Sequence, residues 1–164
     1  MGEITTREKI EKLEYKINRF DGFYENINNK GNAFLTINTI IIAGIAALLG
    51  SDITLSCFMK VLVVLISITG MLSITCTLLA ILPYRKTNSK SMLYYGSIAK
   101  QSENQFKTDF DSTNHNTDLD DKISQVYVLA VGLDSKFKKL TTAGILIGLE
   151  LLFGIILIIL NSLN

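Results

Sequence analysis

The sequence predicts an all-α membrane protein: three transmembrane helices continuous with a cytoplasmic helical bundle. Three observations carry that class. Of the 164 residues 48% are hydrophobic, and they gather in three blocks. Asn32–Gly50 and Val61–Tyr84 contain no charge, and Leu140–Leu160 contains only Glu150. A helix needs about 20 mostly apolar residues to cross a bilayer core. The segments outside these blocks carry apolar residues every three or four positions, the spacing of a packed helix. The cations also cluster on one side. Arg19 and Lys30 precede the first block, Arg85, Lys86 and Lys90 follow the second, and Lys136, Lys138 and Lys139 precede the third.

These positions give one topology. Residues 1–31 form an N-terminal cytoplasmic helix and 32–50 the first span. A short external loop, 51–60, carries Asp52 and Lys60. The second span is 61–83, the cytoplasmic helical region 84–139 and the third span 140–160, with 161–164 an external tail. The positive-inside rule then puts the N-terminus in the cytoplasm and the C-terminus outside, in a multi-pass protein of the cell membrane. Three buried helices of a soluble protein are the alternative. Ile145–Leu149 and Leu151–Leu160 lack the polar face which that arrangement needs. The first block follows about 30 polar and charged residues, so it reads as a retained membrane helix, not a signal peptide.

The cytoplasmic segments read as helices in order. Ile10, Leu13, Ile17, Phe20, Tyr24 and Ile27 make an apolar stripe, and Thr5 with Glu8 fits a capping box. Gly22 and Gly31 weaken this helix without ending it; a bend is expected at Gly31. Pro83 ends or kinks the second span, and Tyr84 suits the interface. A helix capped by Asn88 or Ser89 should run through Phe106, and Asp109–Asp118 reads as a polar loop holding the sole histidine, His115. Leu119, Ile123, Val126, Ala130, Leu133, Phe137 and Leu140 form the last stripe, capped by Thr117 or Asp118. With no breaker before the third span, that helix should reach roughly 40 residues, or ~60 Å.

Enzyme signatures are missing. The sequence has no Walker loop, no G-x-G-x-x-G, no G-x-S-x-G and no H-E-x-x-H. Asp118, Asp120 and Asp121 suit capping and the helix dipole better than catalysis. Cys57 and Cys76 lie too far apart along one helix for a disulfide, and neither has metal-ligand neighbours. No catalytic residue, metal or cofactor is expected. The net charge of +1 gives no support to nucleic-acid binding. Asn28, Lys30, Asn38, Gln105, Gln125 and Lys136 place polar groups near packed faces, and buried donors need partners.

Glu150 is the outlying residue. A carboxylate in hydrocarbon is costly and seldom faces lipid. It is expected to be protonated and hydrogen-bonded between helices, to face a water path in an oligomer, or to lie at a membrane defect. Gly144 and Gly148 form a G-x-x-x-G spacing beside it, which permits close helix approach. Three spans enclose no wide pore alone, so a channel would require several subunits, a homo-oligomer, or strong local thinning of the bilayer.

Three stretches resemble the transmembrane effectors of bacterial Pycsar antiphage systems, the PycTM-like family. INNKGNAFLTIN, 27–38, is similar to the family's entry into its first span, with Lys30 and Asn38 matching. Asn29 stands where an acidic residue is usual, and Gly31 where alanine is. LPYRKTNSKSMLYYGSIA, 82–99, resembles the Pro-containing exit from the second span. ISQVYVLAVGLDSKFKKL, 123–140, resembles the segment leading into the last. The resemblance implies a non-enzymatic effector of the bacterial inner membrane. It would be activated by cyclic CMP or cyclic UMP from a companion pyrimidine nucleotide cyclase, and would disrupt the membrane in abortive infection. It also implies ligand-binding roles for Lys30, Arg85, Gln125, Tyr127 and Lys136, with Tyr127 or Tyr95 stacking on the base. A ligand-independent holin-like toxin, a membrane scaffold and an intramembrane enzyme are the competing readings.

Overall fold

The computed structural model describes residues 5–51, 53–83 and 91–163. Among these residues five helices follow in chain order: α1 (Thr6–Leu49), α2 (Cys57–Ile81), α3 (Tyr95–Ile98), α4 (Glu103–Asp111) and α5 (His115–Ser162). No strand occurs among the described residues. α1, α2 and α5 are each long and apolar enough to cross a membrane. The all-α membrane class read from the sequence is therefore the observed one.

Local chemistry sets the helix ends. The Glu8 amide donates to the Thr5 hydroxyl at 3.3 Å, and the Thr5 amide donates to the Glu8 carboxylate at 2.9 Å. That reciprocal box starts α1 where the sequence places it. α1 then runs 44 residues without a break. The helix runs on through Gly31, as expected, and Gly31 is a point of close approach: a Cβ there would stand 2.7 Å from the Ile81 side chain. α2 starts at Cys57, earlier than Val61, because the Ser56 hydroxyl accepts from the Met59 amide at 3.4 Å. It stops at Ile81. Leu82, which precedes Pro83, adopts φ −50° and ψ 140°, the extended conformation that proline imposes on its neighbour.

The region before α5 departs from expectation. A continuous helix to Phe106 does not form. The proposed caps Asn88 and Ser89 lie outside the described residues, as do Tyr84 and Arg85. Residues 91–94 are non-helical, followed by α3 and, after residues 99–102, by α4. Side chains compete here with helical bonding. The Asp121 carboxylate accepts from the Met92 amide at 2.8 Å, and the Ser91 hydroxyl accepts from Leu93 at 3.2 Å. Ser102 starts a new helix by accepting from the Gln105 amide at 3.3 Å. The expected polar loop shrinks to Ser112–Asn114, and His115 lies in the exposed first turn of α5. The cap is Asn114, whose side-chain oxygen accepts from Asn116 and Thr117 at 3.0 and 2.9 Å. The cap therefore falls earlier than Thr117 or Asp118, the residues expected to provide it.

Contacts divide the chain into two compact units. One comprises Met1–Glu25 and Pro83–Asp134. Within it the Tyr24 hydroxyl donates to the Leu129 carbonyl at 2.9 Å. The Lys122 ammonium, buried on α5, meets Asp118 at 2.7 Å and Glu14 of α1 at 3.1 Å.

The other unit comprises Asn26–Leu82 and Ser135–Asn164, and holds the apolar lengths of α1, α2 and α5. Its core is Met59, Leu62, Val63, Ile66 and Leu157. The buried seam continues along α2 as Gly70, Ser73, Thr77 and Ala80, at helical spacing. Small residues suit a membrane interface, where close packing rather than water exclusion joins helices. Large apolar side chains point outward, as lipid requires: Met71 is 72% exposed and Ile158 70%.

Candidate functional site

The membrane unit buries a polar junction. On α1, Asn38 is fully buried. Its Nδ2 donates to the Phe34 carbonyl at 2.9 Å and to the Ser73 hydroxyl on α2 at 3.2 Å. Ser73 in turn donates to the Ala143 carbonyl on α5 at 3.2 Å. One amide and one hydroxyl thus stitch three helices together. The Glu150 carboxyl lies beside this chain, 1% exposed. Gly70 makes the room for it: a Cβ at that position would collide with Glu150 Oε1 and would stand 3.7 Å from Asn38 Oδ1. Neither Glu150 oxygen, nor Asn38 Oδ1, has a hydrogen-bond partner among the described residues.

Lys136 lies on α5 before the third span and is 4% exposed. Its ammonium donates to the carbonyls of Ala80, Ile81 and Leu82, the last at 2.7 Å. These oxygens end α2, where helical carbonyls lack intrahelical donors and the dipole is negative. Lys136 is thereby a side-chain cap for the second span.

Among the described residues of the other unit, two recesses bear on ligand binding. A cavity of about 500 Å³ contains Ser91, Phe106 and Phe110 together with Asp118, Asp120 and Asp121. Three carboxylates make it hostile to an anion. A shallower groove of about 750 Å³ runs along α1 beside Val126. It presents Lys12, Lys16 and Arg19 with Tyr15, Phe20 and Phe23, flanked by Glu8 and Glu11. The Arg19 guanidinium sits 5.5 Å from the centre of the Phe23 ring. Cations beside one exposed ring, Tyr15, and two half-buried ones, Phe20 and Phe23, suit a small aromatic anion. Between these two recesses, charge favours the second.

Residues 12–161 match PycTM, the Pycsar effector protein domain. The chain belongs to the PycTM family. No curated protein and no solved structure matches it.

The PycTM resemblance implied five ligand residues, and the structure distributes them. Lys30 is exposed on α1 in the membrane unit, which also holds the buried Lys136. Gln125, half-buried, and Tyr127, 70% exposed, belong to the other unit. Arg85 lies outside the described residues. None of the four described residues lines either recess. Tyr95 is exposed and packs its ring 4.8 Å from that of Tyr94. In the PycTM membrane unit, a Cβ at Gly144 would stand 3.3 Å from the Phe34 ring, a close approach. Gly148 meets nothing within 4 Å. Sequence reasoning missed the α1 groove. Its signal was present, since Lys12, Lys16 and Arg19 recur at helical spacing beside Tyr15, Phe20 and Phe23.

Proposed function

We propose that this PycTM chain is a non-enzymatic effector of antiphage defence. A cyclic pyrimidine nucleotide, cyclic CMP or cyclic UMP, activates it to disrupt the bacterial inner membrane, with the N-terminus cytoplasmic and the C-terminus periplasmic. The observation that carries this reading is the family match, which extends through all three membrane-length helices of one chain. A companion nucleotide cyclase supplies the ligand, and copies of the chain assemble in the bilayer.

The α1 groove supplies the chemistry for such a ligand. A cyclic nucleotide carries one negative charge, and Lys12, Lys16 or Arg19 can meet its phosphate through charge-assisted bonds. Tyr15, Phe20 or Phe23 offers a face to the base. α1 is one helix from Thr6 to Leu49, so the groove and the buried Asn38 share a single element. The ligand acts by binding one arrangement of that helix more tightly than the other, which shifts their populations.

Calorimetry of the full-length protein in lipid nanodiscs tests the reading against cyclic CMP, cyclic UMP, cyclic AMP and cyclic GMP. A pyrimidine nucleotide should bind, and Arg19→Ala should weaken it about tenfold, the equivalent of ~1.4 kcal/mol. Undiminished binding by Arg19→Ala and Lys16→Ala would move the site out of the groove. Binding of none of the four nucleotides would refute nucleotide activation.

A further inference from the structure

The direction of each hydrogen bond at the buried junction fixes what is missing from it. The Phe34 carbonyl can only accept, so the Asn38 amide must turn Nδ2 toward it. Asn38 also donates to Ser73, and Ser73 spends its single proton on the Ala143 carbonyl. No donor on this chain of bonds is left for Asn38 Oδ1. That oxygen and both oxygens of Glu150 are acceptors without donors, gathered around Gly70.

An ionised Glu150 would set a negative charge beside an amide oxygen in a hydrocarbon setting, with no cation to offset it. The stretches 32–50, 61–83 and 141–160 contain no Lys, Arg, His, Asp or second Glu. Besides Glu150 their one titratable side chain is Cys76, a half-buried thiol on α2. An alkali ion is poorly served, because the free oxygens number only three. One proton resolves the arrangement.

We propose that Glu150 is a proton-binding site, its neutral carboxyl donating a hydrogen bond to Asn38 Oδ1 past Gly70. The proton is the bond that ties α5 directly to α1 at this level; the Ser73 bridge ties each of them to α2. Loss of the proton leaves a carboxylate facing an amide oxygen, and the pair then separates instead of holding. Glu150 also lines an apolar cavity of about 390 Å³ bounded by Ile41, Gly44, Ile45 and Leu48 of α1 and by Gly154 and Leu157 of α5. Separation there gives water somewhere to enter. The inference does not depend on the nucleotide reading, since it concerns the membrane unit alone.

Infrared spectroscopy of the full chain in nanodiscs tests it without added nucleotide. At pH 7 the wild type should show a protonated-carboxyl carbonyl band that shifts down in D₂O and is missing from Glu150→Gln. Asn38→Leu, which removes the acceptor, should move that band to higher wavenumber. Glu150→Gln keeps a donor for Asn38 and should unfold within a few degrees of wild type, while Glu150→Ala should melt well below it. A wild-type spectrum containing only carboxylate bands at pH 7 would overturn the proposal, and that result needs no variant to fold. An unchanged band in Asn38→Leu would overturn the pairing. So would a melting temperature that follows sodium at constant ionic strength, because it would make the bound ion a metal.

Discussion

Single side chains decide whether the membrane helices close. Gly70 is the clearest case, because its missing Cβ is the space the Glu150 carboxyl occupies. Gly70→Ala should cost about 1–3 kcal/mol, the usual penalty for overpacking a filled site, read as a lower thermal midpoint in nanodiscs. Gly148→Ala is the control: a Cβ there meets nothing within 4 Å, so stability should hold. Equal losses in the two variants would show that the missing Cβ at Gly70 is not what makes the fit, since helix propensity favours alanine at both positions. Lys136 illustrates a different lesson. One of three lysines before the third span, it reads from sequence as a ligand contact, yet its ammonium here satisfies the carbonyls that end α2. No periodicity could reveal this, since those carbonyls lie more than fifty residues away.

At the scale of elements, capping and pairing hold the non-membrane unit. Lys122 joins α1 to α5 through Glu14 and Asp118. Burial alone would lower its ammonium, but the hydrogen bonds to Asp118 and Glu14 and their charges outweigh burial and raise it above the ordinary 10.5. A raised cation contributes its full stability below the unfolded value and loses it as pH climbs through the folded one. Thermal stability should therefore show no loss from this group up to about pH 10 and a loss above it. Lys122→Met should cost about 1–2 kcal/mol at neutral pH and abolish that alkaline component. An alkaline fall of the same size in the variant would assign it elsewhere. Ser102→Ala should cost about 1 kcal/mol by removing the cap of α4, seen as reduced helicity. The long helices were legible because their stripes span many turns. The non-helical stretch before α3 was not, because it rests on Asp121 reaching a backbone amide far away in sequence.

For the molecule as a whole, the three membrane helices follow from composition, and the polar junction between them was half visible. Glu150 announces itself as the one charge in a hydrocarbon run. Its relation to Asn38 and Gly70 appears only when three segments meet. The α1 groove was overlooked for a similar reason: Lys12, Lys16 and Arg19 form a recess only where Val126 of α5 lies beside them. Under the proposed function, a cyclic pyrimidine nucleotide turns this protein into a membrane-disrupting agent. Release of a trapped dye from liposomes bearing the purified full-length chain measures it most directly. Cyclic CMP or cyclic UMP should trigger rapid release, and cyclic AMP should not. Release at the same rate with no nucleotide present, or intact vesicles with every nucleotide, would contradict the account.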